Sequence, residues 1–429
     1  MVDPKYPPGQ TFQHFPSNQL QKKPKSYLFL IIIGVVFLIG LIFYFNSKED
    51  NSNPETIITK NTEVENFNGV LEEKKYAIVY AFQEDYPDFD SQGFSEDLIN
   101  NANDYFTEVS YGKMNINYWY VTSIISNEIP NELGPCVGEH WSSYIVNLLD
   151  PLIDFKEYYG IITIFEKNTE NPFWNCRPHG TIGRLEYNTN EGKIQLSFVG
   201  FPKTKTPEKP FSPPSSNILA HEIGHNLGLN HAYMLDCNDN EGNKVTIGNN
   251  CNFVSEEHYD PMGSASKEHY NIRNKLILGW LEKNNVPEVT KGTYWITPIN
   301  SQFQNKSEIK GLMIPKKWGE AEFPEIAIEF FSHYFLEYKL INQSGFQPTK
   351  GVFIRFGNYI EDEQTSGWYT VLLNMHPKNS IIYTDYGAPI ENMYVYLEKN
   401  QNYTDEYNKM VITVLDANES GALVEIQNL

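Results

Sequence analysis

The segment His221-Glu222-Ile-Gly-His225-Asn-Leu-Gly228-Leu-Asn-His231 constrains this 429-residue chain more than any other. Ser215 or Ser216, following Pro213-Pro214, can cap a helix, and Ile218, Leu219, Ile223 and Leu227 supply its buried face. On that helix His221 and His225 stand four residues apart and project from one side at metal-chelating distance. Gly228 falls where the helix must stop, and a residue able to take positive φ lets the chain turn back. His231 then swings in as a third ligand. Zn²⁺ accepts imidazole nitrogen and in catalytic sites keeps one coordination position open for water. Glu222, beside the first ligand, is placed to take a proton from that water without being needed to hold the metal. HExxH alone arises by chance in about one such chain in a hundred. Gly228 and His231 at fixed offsets make a chance match far rarer.

Downstream, Tyr259-Asp260-Pro261-Met262-Gly263 forms a turn centred on a methionine. H-E-x-x-H-x-x-G-x-x-H followed by such a turn is the pattern of the metzincins. Within them the chain most resembles the gametolysin family. The resemblance is carried by Glu108-Val-Ser-Tyr-Gly112, Ala220 to Ala232, Asp260-Pro-Met-Gly263 and Leu278-Gly-Trp-Leu281, and more loosely by Phe335-Leu-Glu-Tyr338. It covers roughly residues 75 to 340. It implies a zinc endopeptidase with a cleft between an upper strand-and-helix lobe and a lower one. His221, His225 and His231 would hold the metal, Glu222 would serve as general base then acid, and Met262 would underlie the ligands. Several metzincins carry a tyrosine two residues after the turn methionine; here that position is Ser264, and Tyr259 and His258 are neighbours in sequence only.

Cys136, Cys176, Cys237 and Cys251 allow three disulfide pairings, of which sequence proximity favours Cys136–Cys176 and Cys237–Cys251. Cys176, in Asn175-Cys-Arg-Pro178, also invites a cysteine-switch reading. That element usually precedes the catalytic domain, so a disulfide is the preferred reading. The acidic loop Asp236 to Glu241 offers oxygen ligands of the kind Ca²⁺ takes; its other reading is a solvated loop.

Tyr27 to Phe45 is 19 residues without a charge, about 28 Å as a helix against a hydrocarbon core of about 30 Å. It suits an uncleaved signal anchor, because no small-residue cleavage site follows it. The alternatives are a cleaved signal, with a secreted protein, and a buried core helix. The 26-residue tail before it carries +3 and leaves −24 for the rest of a chain whose net charge is −21. The positive-inside rule then puts the tail in the cytosol and everything after Phe45 outside the cell or in a lumen. The expected topology is a single-pass type II membrane protein in contact with the lipid bilayer through residues 27–45. Net acidity argues against a nucleic-acid partner. The sequons at Asn305, Asn342, Asn402 and Asn418 all follow the span.

The rest divides by pattern. Residues 46–74 read as a stalk. Strands alternate with helices from 75 to 283, as in a mixed α/β (α+β) unit: helical spacing runs over 95–109 and 139–149, and strand-like runs begin at Tyr76, Met114, Tyr159 and Ile194. From 284 to 429 short strands recur without a long helical period, the layout of an all-β sandwich. The expected function is hydrolysis of peptide bonds in cell-wall, extracellular or cell-surface proteins, with one catalytic zinc. The rival is an inert surface adhesion protein that binds through its sandwich, against which an intact His221, Glu222, His225 and His231 weigh. Made in a secretory pathway, the chain should carry N-glycans, mapped as modified peptides, and glycans on none of the four sequons would count against the external assignment.

Overall fold

The strand β1 (Glu72–Phe82) shows how the first half is built. Along it Tyr76, Ile78, Tyr80 and Phe82 join one buried cluster, while Ala77, Val79 and Ala81 join another. A strand buried on both faces belongs inside a parallel sheet covered by helices on each side. The structure, a computed structural model, describes residues 72–82, 90–125, 133–168, 170–203, 216–239, 241–245, 247, 251–263, 266–316, 331–341, 349–358, 370–376 and 395–429.

After β1 come α1 (Ser91–Val109), β2 (Met114–Ile125), α2 (Glu139–Leu149), β3 (Gly160–Glu166), β4 (His179–Gly180), β5 (Leu185–Thr189) and β6 (Gly192–Lys203). The first sheet has the order β2-β1-β3-β6-β4, with β5 also on β6. Neighbours are parallel from β2 to β6, and β4 closes the edge antiparallel. Asp90 caps α1 by accepting from Gly93 N at 2.9 Å. Leu98, Ile99, Ala102 and Phe106 of α1 pack on the even-numbered face of β1. The helix α3 (Ser216–Asn226) joins them there through Leu219, Ala220 and Ile223. Trp141, Ile145 and Leu149 of α2 cover the other face.

Next are β7 (Ala232–Cys237), β8 (Cys251–Glu256), α4 (Ile272–Ile277) and the strands β9 (Gly292–Ile296), β10 (Gly311–Pro315), β11 (His333–Ile341), β12 (Thr349–Gly357), β13 (Thr370–Leu373), β14 (Asn402–Asp405), β15 (Met410–Asn418) and β16 (Gly421–Asn428). They form two sheets, β10-β11-β12-β13-β7-β8 and β14-β15-β16-β9. Leu235, Leu336, Ile354 and Val371 of the former share a core with Ile412, Val414 and Val424 of the latter.

The expected boundary near residue 284 does not separate independent folds. β7, which starts one residue after His231, pairs in parallel with β13 through Ala232↔Thr370 to Leu235↔Leu373. Residues Phe67–Leu429 form one compact unit. The periodicity of each half is a local property, and a parallel pairing between strands so far apart leaves no local signal. β1 begins at Glu72, so residues 72–74, expected in the stalk, belong to the first sheet; residues 46–71 lie outside the described residues.

Both disulfides pair as sequence proximity suggests, Cys136–Cys176 and Cys237–Cys251, the latter a direct cross-strand pair between β7 and β8. Asn305 and Asn402 are exposed and Asn418 is half-buried. Asn342, the tail and the apolar run 27–45 lie outside the described residues. Among the described residues no helix is long and apolar enough to cross a membrane. A fragment ending at residue 283 keeps β8 but lacks β13, the other partner of β7, and the strands that share the core of Leu235. By calorimetry it should melt well below the full chain, and a 75–283 fragment melting at the full chain's temperature would contradict a stabilising role for the shared sheet.

Candidate metal centre

α3 runs directly beneath its ligands. Leu219 and Ile223 face the core, and the helix ends in a Schellman turn: Leu229 N donates to Gly224 O at 3.0 Å and Gly228 N to His225 O at 2.8 Å. Gly228 has φ +93°, a left-handed conformation that side chains disfavour by roughly 1–2 kcal/mol. The turn brings His231 back beside His221 and His225. Their rings lie with centroids 4.8, 5.2 and 4.8 Å apart, and one ligand atom from each falls within 4.8 Å of the others.

Two hydrogen bonds set the orientation of the rings. His221 Nδ1–H donates to Pro261 O at 2.6 Å, and His225 Nδ1–H donates to Leu229 O at 2.8 Å. Carbonyl acceptors require the proton on Nδ1, so Nε2 is the ligand atom each offers. Tyr233 Oη stands 3.5 Å from His231 Nδ1. Burial lowers the basicity of His225, to a pKa of about 4, and of His231. Such imidazoles stay neutral at physiological pH, the form a metal binds. The donor set therefore fits zinc, which bonds imidazole nitrogen at about 2.0–2.1 Å.

Met262 is fully buried below α3: a Cβ added at Gly224 would fall 2.3 Å from its Sδ. Asp260 shapes the turn, accepting from Met262 N at 2.7 Å and from Asn271 N and Nδ2 at 2.6 Å. Tyr270 Oη donates to Ala220 O at 2.7 Å from under the helix. Tyr259 packs its ring on Phe353, 5.0 Å away, in a buried cluster with Leu372 and Tyr396. Ser264 lies outside the described residues.

Glu222 is 5% exposed, and burial raises its carboxyl to a pKa of about 8. Over it lies β4, the antiparallel edge of the first sheet. A Cβ at Gly180 would meet Glu222 O at 2.6 Å and its Oε2 at 3.3 Å. Asn226, in the last turn of α3, ties this edge down by donating to Phe198 O at 2.8 Å and Thr181 O at 3.1 Å. Gly183 N donates to His225 O at 2.8 Å. Sequence reasoning missed β4, Asn226 and Pro261; the glycines flanking Thr181-Ile182 were the one available signal for a close backbone approach.

Calcium, the lesser of the two readings of the acidic loop, finds no support among the described residues. Asp239 accepts from Glu241 N, Asn243 N and Asn243 Nδ2, and Asp236 from Asn374 Nδ2. These carboxylates hold turns and strands together. Among the described residues His221, His225 and His231 are the one group gathered with metal-ligand spacing. Cys176 is disulfide-bonded, so it offers no thiolate to a metal.

Residues 188–276 match the model of peptidase family M43, described as pregnancy-associated plasma protein-A. The matched stretch holds β6, α3, the third histidine and the methionine turn. M43 peptidases are metzincin-type zinc peptidases, which supports a zinc metallopeptidase in general. The gametolysin likeness is not what this match shows. No curated protein matches the chain.

The burial of Glu222 has a sign that can be measured. In the metal-free protein its raised pKa contributes stability that is fully present below about pH 4.5 and is lost as the pH rises toward about 8. Metal-free Glu222→Gln should therefore gain on wild type across that window, by several kcal/mol at its upper end. Denaturant unfolding at a series of pH values measures the difference, and a difference independent of pH would contradict the buried environment.

Proposed function

We propose that the chain is a zinc-dependent endopeptidase with His221, His225 and His231 as metal ligands and Glu222 as general base, then general acid. The observation that carries this is the convergence of three imidazoles beside a buried carboxylate, all placed by one helix and its glycine turn. When bound, zinc lowers the pKa of a coordinated water to about 7 and polarises the scissile carbonyl. Glu222 holds and moves the proton at its carboxylate, from the attacking water toward the leaving amine. Its low exposure keeps bulk water from competing for that proton.

An extended peptide has a natural place to lie. The far side of β4 faces no strand among the described residues, so a substrate strand can add to it by backbone pairing and cross Glu222. Such pairing recognises any extended segment, as an endopeptidase requires. The narrower reading, a gametolysin-like enzyme anchored by residues 27–45 and acting on cell-wall, matrix or cell-surface proteins, rests on the apolar run, the charge asymmetry and the motifs around Tyr111 and Trp280.

Purified full chain should contain one zinc per molecule and should cleave internal bonds in a mixture of quenched-fluorescence peptides. Glu222→Gln should keep the zinc and lose hydrolysis by about 10²–10⁴-fold. Zinc-free wild type, or equal hydrolysis by both forms, would overturn the enzymatic reading.

A further inference from the structure

The loop from Glu257 to Gly263 touches one proposed ligand, His221, and the residue that follows another, His231. Pro261 O accepts from His221 Nδ1, while Ala232, next to His231, donates its N–H to Met262 O at 2.9 Å and accepts from Glu257 N at 3.0 Å. The loop's side-chain anchors reach into β11 and β12, far beyond His231 in the chain.

Glu257 pairs with Arg355 Nη1, and Arg355 Nε donates to Glu337 Oε1 at 2.7 Å. Glu337 Oε2 accepts from Ile272 N at 2.7 Å, at the start of α4. Lys339 Nζ donates to Tyr259 O and, at 3.0 Å, to His269 O, while standing 3.6 Å from Glu337. Glu257, Glu337, Lys339 and Arg355 all have zero exposure. Burial works to raise the Glu337 carboxyl, but Arg355 and Lys339 carry it below the ordinary carboxylate range. Buried charges attract strongly only where their geometry is held, and an ordinary strand pairing needs none of them. The cluster's contacts reach the loop, the start of α4 and the backbone of His269 just before it.

We propose that Arg355 and Lys339 are positioning residues for the metal site: through Glu257 and Tyr259 O they hold the loop whose Pro261 carbonyl aims His221. This rests on the zinc-peptidase reading. It places the second sheet in the metal site's outer shell, whose loss typically weakens metal binding by about 10–100-fold. A merely structural role would lower the melting temperature and leave the folded protein's affinity unchanged.

The test is a titration of metal-free full chain with Co²⁺ alone, read by visible absorption, beside thermal unfolding of each metal-free form. Lys339→Met and the isosteric Glu257→Gln should melt cooperatively, bind cobalt about 10–100-fold more weakly and show an altered cobalt band. Arg355→Lys, which keeps a cation between the two carboxylates, should fall between them and wild type. Wild-type affinity and spectrum in the folded variants would overturn the proposal. Should Lys339→Met fail to fold, Glu257→Gln decides alone, by the same criteria. A wild type that takes up no cobalt overturns the zinc reading itself, whereas a wild type and variants that bind it equally overturn only the positioning role.

Discussion

Everything at this site depends on the direction in which two imidazoles point. A histidine side chain has two ring nitrogens and several rotamers, so proximity alone makes no metal site. The hydrogen bonds from His221 Nδ1 to Pro261 O and from His225 Nδ1 to Leu229 O remove that freedom. One acceptor belongs to the turn that ends α3, and the other to the methionine loop. The site is therefore as ordered as those two pieces of backbone, and the fold can be understood as the means of holding them.

The Schellman turn holds the first piece, with Gly228 in the left-handed conformation that reverses the chain within one residue of need. The second piece is held from three sides. Asp260 fixes it internally, Met262 fills the space under Gly224, and the strands of the C-terminal half reach it through buried charge. β7 leaves His231 and enters the second sheet at once, so the ligand's backbone is continuous with a six-stranded layer. The two disulfides brace the surroundings: one closes the β7–β8 hairpin, and the other binds the segment leading into β4.

Much of the site was legible in the sequence because its geometry is local. His221, Glu222, His225, Gly228 and His231 lie within three helical turns and a reversal, where spacing alone dictates direction. The helices near 95–109 and 139–149 were legible for the same reason, as were the strand runs of the second half. Long-range placement was not. Nothing around Thr370 or Ala232 foretells that they pair, and a two-residue strand such as β4 has no period to detect. That is why the expected boundary near 284 cuts through a shared sheet. The charged residues Lys339 and Arg355 sit in strand-like runs, where alternation would assign them to solvent; both are buried among opposite charges and carbonyls. In the acidic loop, Asp239 accepts from two backbone amides, a role that spacing alone does not reveal.

X-ray absorption at the zinc edge of the purified full chain tests the central claim most directly, because it reads the ligand shell without reference to activity. Three imidazole nitrogens and one oxygen at about 2.0–2.1 Å are predicted. A shell containing sulfur, or fewer than three imidazoles, would contradict it.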